Sequence, residues 1–276
     1  MMKTPKYPNR IRNTSAPLSS NYSNPSSYQP HNMHDSFNPM HRNNGYHQES
    51  PQGMHNNMHS NTPPPHARFS KRDLMNYNKF SFERVKRRFN LNELQKDLFP
   101  NVEALTPSDW LQETFSITAD LPKKTEKERT EFILLPILLE LRRLNEGFFT
   151  IYSGEFFNVE PREGLAGPTD IILSLSPESY SISSPIMTIV QAYKNNIDLG
   201  LGKCVAQMIA ADIFNEREDN QISTVYGCVT TGEQWLFLRL EGDTIYIDAH
   251  RYFVNEIESI LGVFRNIIDS YKYKGA

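Results

Sequence analysis

The stretch Pro185-Ile-Met-Thr-Ile-Val-Gln-Ala-Tyr-Lys194 limits what this chain can become more than any other part of it. Its apolar run is expected to form a strand buried on both faces, near the centre of a sheet. Gln191, Tyr193 and Lys194 fall where the run ends, which places polar groups at the sheet's rim. The segment leads into Asn195-Asn-Ile-Asp-Leu-Gly-Leu-Gly-Lys-Cys-Val-Ala-Gln-Met-Ile-Ala-Ala-Asp-Ile-Phe214, read as a turn and a helix. Another short strand, Thr169-Asp-Ile-Ile-Leu-Ser174, opens with an acid, Asp170.

Composition divides the 276 residues unevenly. Residues 1–67 are Asn, Ser, Pro, His and Met, almost without Val, Ile or Leu, and hold seven of the eight histidines. Such a stretch buries too little apolar surface to offset its conformational entropy, so a disordered tail is expected. The histidines show no metal-site spacing; recruitment of protein partners remains open for this tail. Residues 68–89 are basic and aromatic, with eight Lys and Arg between Arg68 and Arg88. Arg84, Lys86, Arg87 and Arg88 are candidate phosphate contacts. The alternative is a short helix docking through the regular stripe Phe82, Val85, Phe89, with its charges solvated. Residues 90–272 are rich in Ile, Leu, Phe and Tyr and long enough for one α/β domain.

The net charge of −3 argues against a protein that coats nucleic acid generally. Cys204 and Cys228 lack metal spacing and sit in apolar elements, as reduced thiols of a cytoplasmic protein would. No apolar run has the length of a signal peptide or a membrane span, so no membrane partner is expected.

Along the domain, Ser108 or Thr106 is expected to cap a helix carrying Trp110 and Leu111. Thr125 with Glu128 forms a capping-box pattern opening a helix to Leu144, which Pro136 should bend. Glu131 and Glu140 interrupt its apolar face. Glu131 is taken as a site candidate, because an inward carboxylate is costly unless paired or metal-bound; Glu140 is expected at a solvated edge. Strands follow at 148–159, 169–175 and 185–193, then a helix at 201–215, strands at 222–231, 234–240 and 244–247, and a helix at 251–271. Gly200 and Gly202 match neither dinucleotide nor P-loop spacing and are expected to permit a tight strand-to-helix turn.

The order helix, three strands, helix, strand is that of a restriction-endonuclease-like α/β core, α-β-β-β-α-β, with a mixed central sheet flanked by helices. Three segments, Thr125-Glu-Lys-Glu-Arg-Thr-Glu-Phe-Ile133, Tyr152 to Asp170 and Gly200 to Ala211, resemble an uncharacterised family, common in cyanobacteria, of the PD-(D/E)xK nuclease superfamily. The resemblance spans roughly 85–265. It implies a Mg²⁺ site built from a helix acid at Glu131, a strand acid at Asp170, and an acid-x-lysine tip. That tip falls on Gln191-Ala192-Tyr193, where relatives are expected to read Glu-Ala-Lys.

Both substitutions carry a chemical cost. Gln191 keeps a carbonyl oxygen but lacks the charge. Tyr193 is a neutral phenol at pH 7 and offers no cation to a charged transition state. Loss of one such group typically costs about 10²–10⁴ in rate. Lys194 alternates to the opposite face, and a bulge would be needed to swing it in. The leading expectation is therefore a nuclease-superfamily domain with a degraded site, acting as a nucleic-acid or protein binding module without a small-molecule cofactor. An active Mg²⁺-dependent DNA endonuclease using Glu131, Asp170, Gln191 and a displaced Lys194 is the rival. A scaffold acting through the tail is a third reading.

Overall fold

The structure is a computed structural model that describes residues 76–175, 179–220 and 222–272. The tail expected over 1–67 lies outside these residues, as does the start of the basic segment. In chain order the elements are α1 (Phe82–Phe89), β1 (Asn92–Lys96), α2 (Asp109–Thr118), then one long helix in three sections: α3 (Glu126–Arg129), a π-helical turn (Thr130–Leu134) and α4 (Leu135–Leu144). There follow β2 (Thr150–Ser153), β3 (Ile171–Ser174), β4 (Ile186–Ala192), α5 (Ile197–Arg217), β5 (Thr224–Thr230), β6 (Gln234–Glu241), β7 (Thr244–Asp248), β8 (Tyr252–Phe253) and α6 (Ile257–Lys272).

The strands form one mixed sheet in the order β1-β7-β6-β5-β4-β3-β2, with β8 pairing with β6. β2, β3 and β4 make an antiparallel meander. The chain then crosses over through α5 and returns as β5, parallel to β4. Every residue of β4 is buried, as its apolar run requires of a strand with neighbours on both sides. Helices flank the sheet. Alternation along β4 sends Ile189 and Tyr193 toward the α1 and α5 side, and Val190 and Ala192 toward the α4 and α6 side. Among the described residues no helix is long and apolar enough to cross a membrane.

Local chemistry explains the helix boundaries. Ser108 caps α2 by accepting the Leu111 N–H, and Thr125 and Glu128 form the full capping box at α3. Pro136 does not simply bend its helix. The turn before it widens to π geometry, so that the Leu135 N–H reaches the Thr130 carbonyl five residues back. Glu140 also differs from its expected solvated edge: it is fully buried and accepts from the Ser108 N–H (3.0 Å) and from Arg143 (3.0 Å).

Two glycines do work that composition did not indicate. The helix α5 begins at Ile197, so Gly200 and Gly202 lie inside it and do not form the turn before it. A Cβ on Gly202 would overlap the Phe80 carbonyl oxygen, and one on Gly200 would sit 2.7 Å from Val229 Cγ1 and 3.2 Å from Tyr193 Cδ2. They let α5 lie close to the segment entering α1 and to β5. That entering segment is held by buried Tyr77, whose hydroxyl donates to the Phe157 carbonyl (2.8 Å). Val85 and Phe89 of α1 are buried in the same layer. Cys204 and Cys228 are buried free thiols; burial pushes Cys204 up to about 12, which leaves it unreactive as a nucleophile.

Gly202→Ala is expected to lower stability by at least about 1–3 kcal/mol in urea unfolding, because the obstruction is backbone and cannot rotate away. The Glu140 carboxyl lies below its ordinary range. Burial works to raise it, but the Ser108 N–H and Arg143 outweigh that effect. Its contribution to stability is thus present above the unfolded value near 4.3 and is lost as pH falls through the lower folded value. Glu140→Gln should therefore flatten the acid limb of a stability profile measured between pH 6 and pH 3.

Candidate functional site

The β3–β4 register pairs Ile171 with Val190, and one step further along the same antiparallel ladder Asp170 comes opposite Gln191. Both lie on the α5 side of the sheet, since Ile172 and Ile189 point that way. The expected strand acid and the expected tip residue are therefore cross-strand neighbours. Gln191 Nε2 donates to Asp170 Oδ2 and also to the Ala192 carbonyl (2.8 Å). The Ala192 N–H donates to the same Asp170 Oδ2 (2.8 Å).

The cation at this centre comes from a different place than expected. Lys203, in the second turn of α5, sets its Nζ 3.4 Å from Asp170 Oδ1, with the lysine 15 % and the aspartate 22 % exposed. Lys194 is exposed at the end of β4 and is not in this network. Lys203 was legible in principle. It stands three residues after Gly200 in a helix packed over the tip, and residues three apart share a helix face. Gln207, one turn on, donates from Nε2 to the Pro168 carbonyl (3.4 Å), two residues before Asp170.

The other expected residues are dispersed. Tyr193 is half-buried and packs on the α5 layer beside Gly200. Glu131 is 46 % exposed, and its ion partner is Lys127 at 3.7 Å. The π turn accounts for this. On an unbroken α-helix Glu131 would continue the buried stripe Leu134, Leu138, Leu141. One extra residue in the turn rotates everything upstream by about 100°. Arg129 comes into the inward position instead, and its guanidinium donates to the carbonyls of Tyr193 (3.2 Å) and Lys194. The tip of β4 is thus fastened by an arginine.

On α1, Lys86 is paired with Glu83 (2.7 Å) and Glu93 (2.5 Å), and Arg88 with Glu163 (2.6 Å). Arg84 and Arg87 donate to the carbonyls of Lys79 and Glu83, both at 3.4 Å. A further group, Asp97, Asp248 and His250, gathers at the ends of β1 and β7. The buried Asp248 accepts from the Leu98 and His250 N–H groups at Oδ1 and from the Tyr252 hydroxyl at Oδ2, so both oxygens are engaged within the fold.

The donor set decides whether Asp170 could hold a divalent ion. Mg²⁺ takes oxygens in octahedral geometry, usually one or two carboxylates with waters. Gln191 Oε1 would suit, being buried without a hydrogen-bond partner among the described residues; its orientation follows from the two acceptors that its nitrogen meets. Asp170 does not suit. An ammonium engages one oxygen and two N–H groups engage the other, and the second expected acid faces Lys127. These residues do not fit a Mg²⁺ ion. Burial pushes the Asp170 carboxyl up, against the pull of Lys203 and the Ala192 N–H. No protein-family model matches the sequence, and no curated protein matches it.

Because Asp170 is held above its unfolded value, keeping it ionised opposes folding. That cost is absent below the unfolded value near 3.9 and complete once pH exceeds the folded value. Lys203→Met would raise the folded value further. The variant should lose about 1–3 kcal/mol near pH 7.5, with the deficit shrinking as pH is lowered toward 4, in urea unfolding at each pH.

Proposed function

We propose that this chain is a binding module built on a nuclease-like fold, and that its former metal centre is now an internally neutralised polar cluster. The observation that carries the reading is the full engagement of the Asp170 carboxylate by Lys203, Gln191 and the Ala192 N–H. The fold supports its nuclease-like part. A helix, three antiparallel strands, a crossover helix and a strand parallel to the third occur in the order that a restriction-endonuclease-like core requires. Fold alone does not carry function, so the weight rests on the site. Protein is favoured over nucleic acid as the partner, since two of the four α1 cations that would meet phosphates, Lys86 and Arg88, are paired with carboxylates of the same chain. In addition, Trp110, Ile117 and Leu139 stand exposed on α2 and α4.

One observation favours a second reading. An acid and a lysine lie 3.4 Å apart beside a buried amide oxygen. A live metal-dependent endonuclease would first have to free the Asp170 oxygens for its ion, and its lysine would be Lys203 and not Lys194. Plasmid nicking with Mg²⁺ or Mn²⁺ separates the two readings. The binding-module reading expects no cleavage by the native chain and no difference between it and Asp170→Ala. Cleavage that vanishes in both Asp170→Ala and Lys203→Ala would establish the endonuclease. Fluorescence anisotropy with duplex DNA tests the partner class. Affinity should be weak and should change less than about twofold when Arg87 and Arg88 are replaced by Ala; a steep salt dependence abolished by those substitutions would point to nucleic acid.

A further inference from the structure

We propose that β1 is a dimerisation edge, pairing antiparallel with β1 of a second copy of this chain across a two-fold axis at Leu94. All five residues of β1 are exposed, and the strand ends the sheet. Its ladder to β7 is parallel, with Asn92 facing Thr244 and Lys96 facing Asp248. The Asn92 N–H donates to the Asp243 carbonyl and the Lys96 carbonyl accepts from the Ala249 N–H, both at 2.9 Å. In a parallel ladder a residue directs both its backbone groups to the same neighbour. Asn92, Leu94 and Lys96 therefore bond inward, while Glu93 and Gln95 turn N–H and C=O outward. Among the described residues nothing bonds to those outward groups. A strand edge of this kind is a template for another strand.

Symmetry and charge select the occupant and the register. A two-fold antiparallel pairing must match outward residues with outward residues, which leaves three registers that use Glu93 or Gln95. Glu93 against Glu93 brings two carboxylates together, each already held by Lys86 of its own copy, and leaves Leu94 without its own copy opposite. Gln95 against Gln95 places Glu93 against Asp97 of the second copy. The third sets Glu93 against Gln95 and Gln95 against Glu93, so each carboxylate meets an amide and Asn92 meets Lys96. Leu94, 52 % exposed and the apolar residue of the strand, then meets its own copy on the axis. That contact is a pair without mutual hydrogen bonds, the closely spaced kind at about 4.5 Å between Cα atoms. The register without like-charge conflict is also the one that covers the leucine.

The geometry supplies a register-specific test. In the full-length protein, Leu94→Cys should form an intermolecular disulfide under mild oxidation, because Cα atoms near that spacing accept the bond. Lys96→Cys should not, because the two copies of residue 96 lie four residues apart along the paired strands, roughly 13 Å. The native Cys204 and Cys228 are buried and do not compete. In sedimentation equilibrium the native chain should be a dimer at 100 µM. Gln95→Pro, which removes an outward donor and leaves the ladder to β7 intact, should weaken the dimer at least about tenfold. Circular dichroism should stay native in that variant. A native monomer at 100 µM, a dimer indifferent to Gln95→Pro, or equal cross-linking at 94 and 96 would each overturn the proposal.

Discussion

The seat of α5 on β4 and β5 is the constraint on which the rest of this molecule depends. A helix can approach a sheet this closely only where a Cβ is missing, and Gly200 supplies that gap, while Gly202 lets the same helix meet the backbone at Phe80–Phe82. From the sheet side Gly227 does the same, since a Cβ there would collide with the Met208 sulfur. That closeness has three results. It buries the crossover on which the parallel β4–β5 pairing relies. It fixes the entry to α1. It also brings Lys203 down onto Asp170. Packing and site chemistry thus share one cause.

The Asp170 cluster illustrates how a polar centre is accommodated inside a fold by internal pairing. A buried carboxylate is tolerated when paired and hydrogen-bonded, and here the ammonium and two N–H groups meet that need. Nothing in the cluster is left to chance except two amide oxygens, on Gln191 and Gln207, which are buried without partners among the described residues. Arg129, clasping the carbonyls at the end of β4, adds a second cation to the same rim. The rim thus sets two cations, Lys203 and Arg129, beside one carboxylate, where a divalent ion demands anionic oxygens.

Much of the sheet was legible from residues 185–247, because uninterrupted apolar runs and Thr-Gly-Glu and Glu-Gly-Asp turns carry strong local signals. Asp170 and Gln191 were brought into one site by the resemblance, and the pairing of β3 with β4 makes them cross-strand neighbours. β1 was not legible, since Asn92-Glu-Leu-Gln-Lys96 has no apolar face and owes its strand form to pairing with β7. The burial of Glu140 was hidden too, because its partners are a backbone N–H thirty-two residues away and a neighbouring arginine. Lys203 escaped because a lysine in a helix reads as solvated until the glycines beside it are recognised as a packing device.

The π-helical turn before Pro136 has a consequence for how such a site changes over time. The residue that this helix offers to the sheet is selected by the number of residues in one turn. With five between bonded groups, the inward position holds a guanidinium; with four, it would hold the Glu131 carboxylate. The sign of the charge at the rim is therefore stored in backbone pitch as much as in side-chain identity. Restoring α pitch across 130–135 with no residue removed would reverse it without substituting any residue at the site, whereas deleting one residue there would remove the π turn and leave Arg129 inward.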